Sequence, residues 1–198
     1  MALCPLWLGK CWFNEVIYLA KTKLGHKKTI VREICKFIAR IFGPNQHNKY
    51  PFYRIMIEII KITEASVEIL SEINRLLPQL SKSASPMSLE SLDILAKSES
   101  TNLYIAKEGD KVWGMLSLVF FSIPTGTKAW VEDVVVDSTA RGKGLGKALM
   151  NQAFEQALEK GAKCIDLTSR PSRESANKLY QSLGYKTRET NVYRLSLT

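Results

Sequence analysis

From residue 57 onward, the spacing of hydrophobic and polar positions switches between the period of strands and the period of helices. Short runs rich in β-branched residues predict strands, and longer runs with apolar residues three or four positions apart predict helices. We expect strands at 57–62, 102–107, 111–121, 128–136, 163–168, 185–189 and 191–197, and helices at 64–77, 89–97, 145–160 and 173–183. This order predicts an α/β fold, in which helices flank a central mixed sheet.

Turn and breaker residues set the expected ends of these elements. Pro78 is expected to end the first helix, and Gly161 and Gly184 follow the last two helices. The sequence Glu108-Gly109-Asp110 predicts a tight turn between two strands. The strand, helix and strand over 128–168 should form a parallel, right-handed unit.

The positive charge is concentrated in the first 55 residues. The chain has 28 Lys and Arg against 19 Asp and Glu, a formal net charge of +9, and ten of those basic residues with two of the acidic ones lie in 1–55. We therefore divide the chain into a basic arm, 1–55, with a short amphipathic helix at 30–42, and a domain, 56–198. Met56 stands directly before the first predicted strand, so the alternative that the arm lies upstream of the true start remains open.

Composition excludes several kinds of protein and of chemistry. No stretch approaches the roughly 20 apolar residues that span a bilayer. Both histidines lie in the arm, so Ser–His and Cys–His catalysis is excluded for the domain. The four cysteines lack the close pairs of a disulfide framework or a zinc site, which favours a reducing, cytoplasmic location and no bound metal.

The most informative segment joins the strand 128–136 to the next helix. It reads Arg141-Gly142-Lys143-Gly144-Leu145-Gly146-Lys147, with glycines at alternate positions and three basic side chains. Glycines let a backbone approach a ligand closely, and a helix start offers unpaired N–H groups and a partial positive charge. The spacing matches neither the Walker pattern nor the dinucleotide fingerprint. It predicts a pyrophosphate site, the alternative being a solvated glycine-rich turn.

This turn resembles the acyl-CoA pyrophosphate loop of the GNAT superfamily of N-acetyltransferases. The segments Asp166-Leu167-Thr168-Ser169 and 177–185 match the same family, and the resemblance spans about residues 57–197 without the arm. It implies acetyl-CoA as acyl donor, whose pantetheine arm would pair with the backbone of the preceding strand as an added strand does. The residues implied in cofactor binding are Val134, Val135, Val136, Arg141, Gly142, Lys143, Gly144, Leu145, Gly146, Lys147 and Asn177.

The resemblance also implies catalytic roles. Tyr180 would donate a proton to the departing thiolate, the alternative being a core aromatic, and a backbone N–H at about Val135 would polarise the thioester carbonyl. The acceptor amine must lose a proton, for which a carboxylate is the natural partner. Glu132 and Asp133 precede Val134, and strand alternation predicts that they face opposite sides. We favour Glu132 as the base, against a charge pair or a solvated strand end.

Two functional hypotheses follow. The first is an N-acetyltransferase that transfers the acetyl group of acetyl-CoA to a primary amine by direct attack. Its acceptor would be a small molecule, as the similarity of 132–136 to glucosamine-6-phosphate N-acetyltransferases suggests, or a peptide N-terminus. The second is a non-catalytic, acyl-CoA-responsive module that contacts nucleic acid or membrane through the basic arm. No nucleic-acid partner is expected for the domain, and a homodimer is left open.

Overall fold

The structure is a computed structural model that describes residues 57–197. These residues form a five-stranded sheet, four α-helices and one short 3₁₀ turn. In chain order they are β1 (Glu58–Lys61), α1 (Val67–Leu80), α2 (Leu89–Ala96), β2 (Thr101–Glu108), β3 (Lys111–Ile123), β4 (Gly126–Val136), the 3₁₀ turn (Ser138–Ala140), α3 (Leu145–Glu159), β5 (Ile165–Leu167) and α4 (Glu174–Ser182).

The strands lie side by side in the order in which they occur along the chain. β1 to β4 pair with their neighbours in antiparallel fashion, and β5 pairs with β4 in parallel. The connection from β4 through α3 to β5 therefore needs a crossover helix, as a parallel pair requires. The mixed sheet predicted from the sequence is confirmed.

Each face of the sheet is covered by its own pair of helices. Tyr104 and Ala106 of β2 pack in a cluster with Leu149 of α3. Leu103 and Ile105, one residue out of phase, pack in a second cluster with α1 and α2. Alternate side chains of a strand point to opposite faces, so α1 and α2 cover one face while α3, with α4 packed against its cluster, covers the other.

A β-bulge in β4 interrupts the pairing with β3. Ser117 pairs with Glu132 and Met115 pairs with Val135, so β4 carries one more residue than β3 across this interval. Asp133 lies at the bulge with φ = 53°, the left-handed region that side chains rarely adopt. Strict alternation does not hold through a bulge, so the prediction that it places Glu132 and Asp133 on opposite faces is wrong. Both residues are exposed.

The helix α1 corrects a second expectation. Ser66 caps it by accepting a hydrogen bond from the backbone N–H of Ile69 at 3.2 Å, so it begins three residues later than predicted. It also continues past Pro78 to Leu80. A proline removes one backbone donor, and this close to the end the loss leaves the last turn intact.

The two strands predicted at 185–189 and 191–197 are not formed in the structure. The alternating apolar side chains of this segment are exposed, with relative exposures of 73% for Val192, 88% for Tyr193, 85% for Leu195 and 90% for Leu197. Because β5 has only three residues, it offers little edge on which a further strand could pair. Alternation favoured strands here, but a strand also needs a partner.

The basic arm, with its helix predicted at 30–42, lies outside the described residues. Within 57–197, none of the helices is both long and apolar enough to cross a membrane.

Candidate active site

A gap opens between β4 and β5 where their pairing stops. Parallel pairs run only from Ala129↔Ile165 to Val131↔Leu167. β4 continues five residues further, to Val136, and no other strand of the described chain pairs with that edge. The backbone there presents N–H and C=O groups with which an extended ligand can pair.

The orientation of the β4 backbone decides which groups face the gap. The N–H of Asp137 donates to the carbonyl of Trp113 on the β3 side at 2.8 Å. The carbonyl oxygen of Val135 also faces β3, since a Cβ placed on Gly114 would lie 2.8 Å from it. Backbone groups alternate sides along a strand, so the N–H groups of Val134 and Val136 face the gap and that of Val135 does not.

The turn after β4 brings free backbone N–H groups to the end of this gap. Gly142 and Gly144 have φ values of 76° and 82°, and nothing lies within 4 Å of a Cβ built on either. Glycine is favoured there by conformation and not by crowding. α3 begins directly after Gly144, without a side-chain cap and without an acidic residue in its first turn.

The starts of α1 and α2 differ from that of α3. Ser66 and Ser88 cap α1 and α2, and each of these helices has a glutamate in its first turn. Side-chain caps and acidic first turns neutralise the positive end of a helix. The start of α3 keeps its N–H groups and its partial charge available for an anion.

Gly146 has a different function from the two glycines before it. A Cβ at this position would lie 3.0 Å from Cδ2 of Leu179 on α4. The absence of a side chain therefore lets α3 approach the helix that bears Tyr180. The exposed cations Arg141, Lys143 and Lys147 surround the turn, and the Nε of Arg141 donates to the carbonyl of Val136 at 3.4 Å.

Tyr180 lies on α4, half-buried against the cluster that contains α3. Its ring centroid is 6.1 Å from that of Tyr185, at an interplanar angle of 59°. Desolvation raises the pKa of the Tyr180 phenol above its ordinary value, the positive charge of Arg173 opposes the shift, and the carboxylate of Glu132 adds to it. The phenol therefore keeps its proton at neutral pH, and Glu132 is near enough to affect it.

The two carboxylates before Val134 lie in different surroundings. Glu132 accepts a hydrogen bond from Nε1 of Trp130 at 2.6 Å, which fixes its carboxylate on the side chain two residues earlier. Desolvation, followed by the charge of Glu132, raises the pKa of Asp133. At neutral pH two neighbouring carboxylates of this kind make the surroundings favourable for a cation.

Asn177 lies in the first turn of α4, three residues before Tyr180. Its Nδ2 donates to the carbonyls of Arg170 at 3.0 Å and Pro171 at 3.4 Å. The amide thus holds the segment that leads into α4. Its carbonyl end is the part left to contact a ligand, so the cofactor role predicted for Asn177 stays a prediction.

Sequence reasoning missed the residues that hold the start of the turn after β4. Arg75 forms an ion pair with Asp137, and Oε1 of Gln79 accepts a hydrogen bond from the N–H of Ser138 at 2.9 Å. Asp137 is 4% exposed, although it directly follows a strand and would ordinarily be placed in a solvated turn. Its partner lies 62 residues earlier, a separation that no local pattern reveals.

Within residues 57–197, no group of three or more His, Cys, Asp and Glu side chains is arranged to hold a metal ion.

Comparison with known proteins agrees with this geometry. The model of the Acetyltransferase (GNAT) family matches residues 67–185. The chain is 33% identical over 88 residues to the L-2,4-diaminobutyric acid acetyltransferase of Marinococcus halophilus, covering 44% of this chain and 50% of that protein. It is 40% identical over 67 residues to the glucosamine 6-phosphate N-acetyltransferase of Trypanosoma brucei brucei, covering 34% and 43%.

A crystal structure of a Trypanosoma brucei acetyltransferase superposes with a TM-score of 0.59 at 28% identity, covering 71% of this chain and 99% of that one. The matches span about half the length of these two curated relatives. The family model nevertheless covers more than half of this chain, including the glycine turn and Tyr180. On that match, the chain belongs to the Acetyltransferase (GNAT) family, as the sequence predicted.

Proposed function

We propose that this protein is an N-acetyltransferase that transfers the acetyl group of acetyl-CoA to a primary amine by direct attack. The observation that supports the proposal most strongly is the unpaired edge of β4, which leads directly to the uncapped start of α3. An extended pantetheine arm fits such an edge, and a pyrophosphate fits such a helix start. Bound there, acetyl-CoA supplies an activated acyl group as a thioester.

The residues of the turn hold the donor. Backbone N–H groups of Gly142 to Lys147 bind the pyrophosphate, and the exposed cations among them strengthen the local positive field. Val134 and Val136 offer the gap-facing backbone groups of β4. This arrangement binds the donor largely through main-chain atoms, as the glycines at 142 and 144 permit.

The gap-facing N–H nearest the bulge is that of Val134. A donor fixed at the turn and running back along β4 brings its acyl end toward the bulge. The N–H of Val134 would then donate to the carbonyl oxygen of the acyl group as negative charge builds on it during transfer. The backbone N–H expected to donate to the acyl carbonyl therefore changes from about Val135 to Val134, because the N–H of Val135 faces β3.

Tyr180 is proposed as the general acid. Its phenol stays protonated because desolvation raises its pKa, and α4 packs closely on the start of α3 at Gly146 and Leu179. A protonated phenol beside the donor can give a proton to the leaving sulfur. General acid catalysis of this kind contributes about 10²–10⁴ in rate.

Glu132 is proposed to accept the proton of the attacking amine, directly or through water. A primary amine with a pKa of about 10.4 is almost entirely protonated at pH 7, and only about one molecule in a few thousand is unprotonated. The carboxylates of Glu132 and Asp133 attract the protonated amine to the bulge. Glu132 is held by Trp130 and can then relay the proton away.

A small primary amine is the proposed acceptor. The relatives named above are acetyltransferases of diaminobutyric acid and of an amino sugar phosphate, both small amines. The acidic side chains at the bulge suit a cationic amine. A peptide N-terminus, cytoplasmic location and a homodimer stay predictions from the sequence.

A panel of amines with acetyl-CoA, followed by release of free CoA, tests the function. Activity should appear with at least one small amine, and Tyr180→Phe should lower kcat by about a hundredfold or more. Tyr193→Phe makes the same chemical change on the exposed C-terminal segment and should leave kcat unchanged.

The result that contradicts the proposal is a folded protein that neither releases CoA with any amine nor binds CoA in calorimetry. If turnover occurs but Tyr180→Phe matches Tyr193→Phe at every pH, the acid assignment alone is wrong. Glu132→Gln should lower kcat/KM at pH 7 and lose much of its effect near pH 10, where the free amine is plentiful.

A further inference from the structure

An ion-pair network inside the domain connects helix α1 to the turn that follows β4. Nη1 of Arg75 donates to Oδ2 of Asp137. Nη2 of the same guanidinium donates to the carbonyl of Val112 at 2.6 Å and to Glu72 at 2.9 Å. Oε2 of Glu72 in turn accepts from the N–H of Val112 at 2.9 Å. A single arginine therefore joins α1, the start of β3 and the end of β4.

Asp137 connects this network to the turn by hydrogen bonds with Thr139. Its Oδ1 accepts hydrogen bonds from the N–H and the Oγ1 of Thr139, at 2.9 and 2.7 Å. The carboxylate is buried, with 5% of the side chain exposed, whereas Arg75 is 35% exposed. These donors hold the pKa of Asp137 well below its usual range, so it is ionised at every physiological pH.

The first N–H groups of the turn thus donate hydrogen bonds within the protein and are not free to bind a ligand. Ser138 donates to Gln79, Thr139 donates to Asp137, and Ala140 donates to the carbonyl of Asp137 at 2.9 Å. Ala140 is 1% exposed, whereas Arg141 to Gly144 are exposed. The fixed part of the turn ends where the proposed pyrophosphate-binding part begins.

We propose that Arg75 and Asp137 are positioning residues for the acyl-CoA turn. Resting on the function proposed above, this inference assigns them no contact with the donor. They fix the 3₁₀ turn, and the turn fixes the direction in which the N–H groups of Gly142 to Lys147 point. Preorganised donors bind an anion without the cost of ordering the loop.

The test measures CoA affinity by calorimetry, so that no acceptor need be known. Arg75→Ala should weaken CoA binding about ten- to hundredfold, the range expected when a charged hydrogen-bond partner of a buried group is lost. Thr139→Val leaves the ion pair in place and removes one hydrogen bond to Asp137, so a smaller loss, about two- to tenfold, is expected.

A matched control separates positioning from general stability. Leu92→Ala opens a cavity in the core beneath α2, at a residue with 0% exposure whose side chain forms none of the hydrogen bonds or ion pairs of the turn network. It should lower the melting temperature at least as much as Arg75→Ala while leaving CoA affinity unchanged. Once an acceptor is known, Arg75→Lys and Asp137→Asn should raise KM for acetyl-CoA more than they lower kcat.

Three results overturn the inference. The first is CoA binding by folded Arg75→Ala and Thr139→Val that equals that of the unaltered protein. The second is an equal loss of affinity in Leu92→Ala. In either case the proposed function stands, because the unaltered protein binds CoA. The third is an unaltered protein that does not bind CoA, which removes the proposed function and this inference together. If Arg75→Ala does not fold, Thr139→Val and Arg75→Lys decide the matter.

Discussion

Two tyrosines of the same core cluster differ in how their hydroxyl groups are satisfied, and this difference predicts opposite effects of one substitution. The hydroxyl of Tyr104 donates to Oε1 of Gln156 at 3.1 Å and accepts from Nδ2 of Asn102 at 3.4 Å. The hydroxyl of Tyr185 is buried and has no hydrogen-bond partner within the described residues. Tyr→Phe removes only the oxygen, so the two changes isolate its contribution.

A buried polar group without a partner costs about 1–3 kcal/mol, and a hydrogen bond contributes about 0.5–1.5 kcal/mol net. Tyr185→Phe should therefore raise the free energy of unfolding by about 1 kcal/mol. Tyr104→Phe should lower it by about 1 kcal/mol or more, since Nδ2 of Asn102 loses its partner as well. At this chain length, 1 kcal/mol corresponds to about 2–4 °C in melting temperature.

The pH dependence of the free energy of unfolding gives a second test of the Tyr185 hydroxyl. Burial raises the pKa of Tyr185 from 10.0 to about 12, with Tyr180 contributing. Between pH 10 and 12 the unfolded chain loses this proton and the folded protein keeps it, so stability falls as the pH rises through that window. Tyr185→Phe should remove that part of the alkaline loss, leaving in place the contributions of Tyr104 and Tyr180, whose pKa values burial also raises.

Urea unfolding of both variants at pH 7 and pH 11 tests these expectations. The reasoning is refuted if Tyr185→Phe destabilises the protein at pH 7 as much as Tyr104→Phe does. That outcome would mean that the Tyr185 hydroxyl has a partner in solution. A Tyr185→Phe variant whose loss of stability between pH 7 and pH 11 equals that of the unaltered protein would contradict the pKa argument separately.

Three further substitutions test the site and its support. Gly144→Ala forces a side chain into a left-handed conformation, which costs about 1–2 kcal/mol, and CoA affinity measured by calorimetry should fall. Gly146→Ala places a Cβ 3.0 Å from Leu179; if α4 moves away, kcat should fall more than CoA affinity, and unchanged kinetics would show that Leu179 simply rotates. Ser66→Ala removes the cap that accepts from Ile69 and should cost about 1 kcal/mol of stability in urea unfolding without changing CoA affinity.

The order and type of elements from β1 to α4 could be predicted from local sequence patterns, because each has the period of its own secondary structure. The glycine turn could be predicted for the same reason, since the residues that create it are contiguous. The absence of strands after α4 could not be predicted, because the alternation in 191–197 says nothing about whether β5 is long enough to pair with them. Arg75 and Asp137 could not either, since their contact depends on how α1 lies across the sheet.

The bulge at Asp133 changes which residues of β4 face the gap, and the sequence pattern does not reveal this change. Before it, Ala129 and Val131 face the cluster with α3, and after it Val134 and Val136 pack against that cluster. An unbroken strand would have placed Val135 there instead, with its backbone N–H turned to the gap. The extra residue reverses this phase, so Val134 becomes the gap-facing donor and two carboxylates are exposed beside it. A bulge is set by pairing with β3. The sheet register therefore decides which backbone N–H faces the gap, and the β-branched run alone could not predict it.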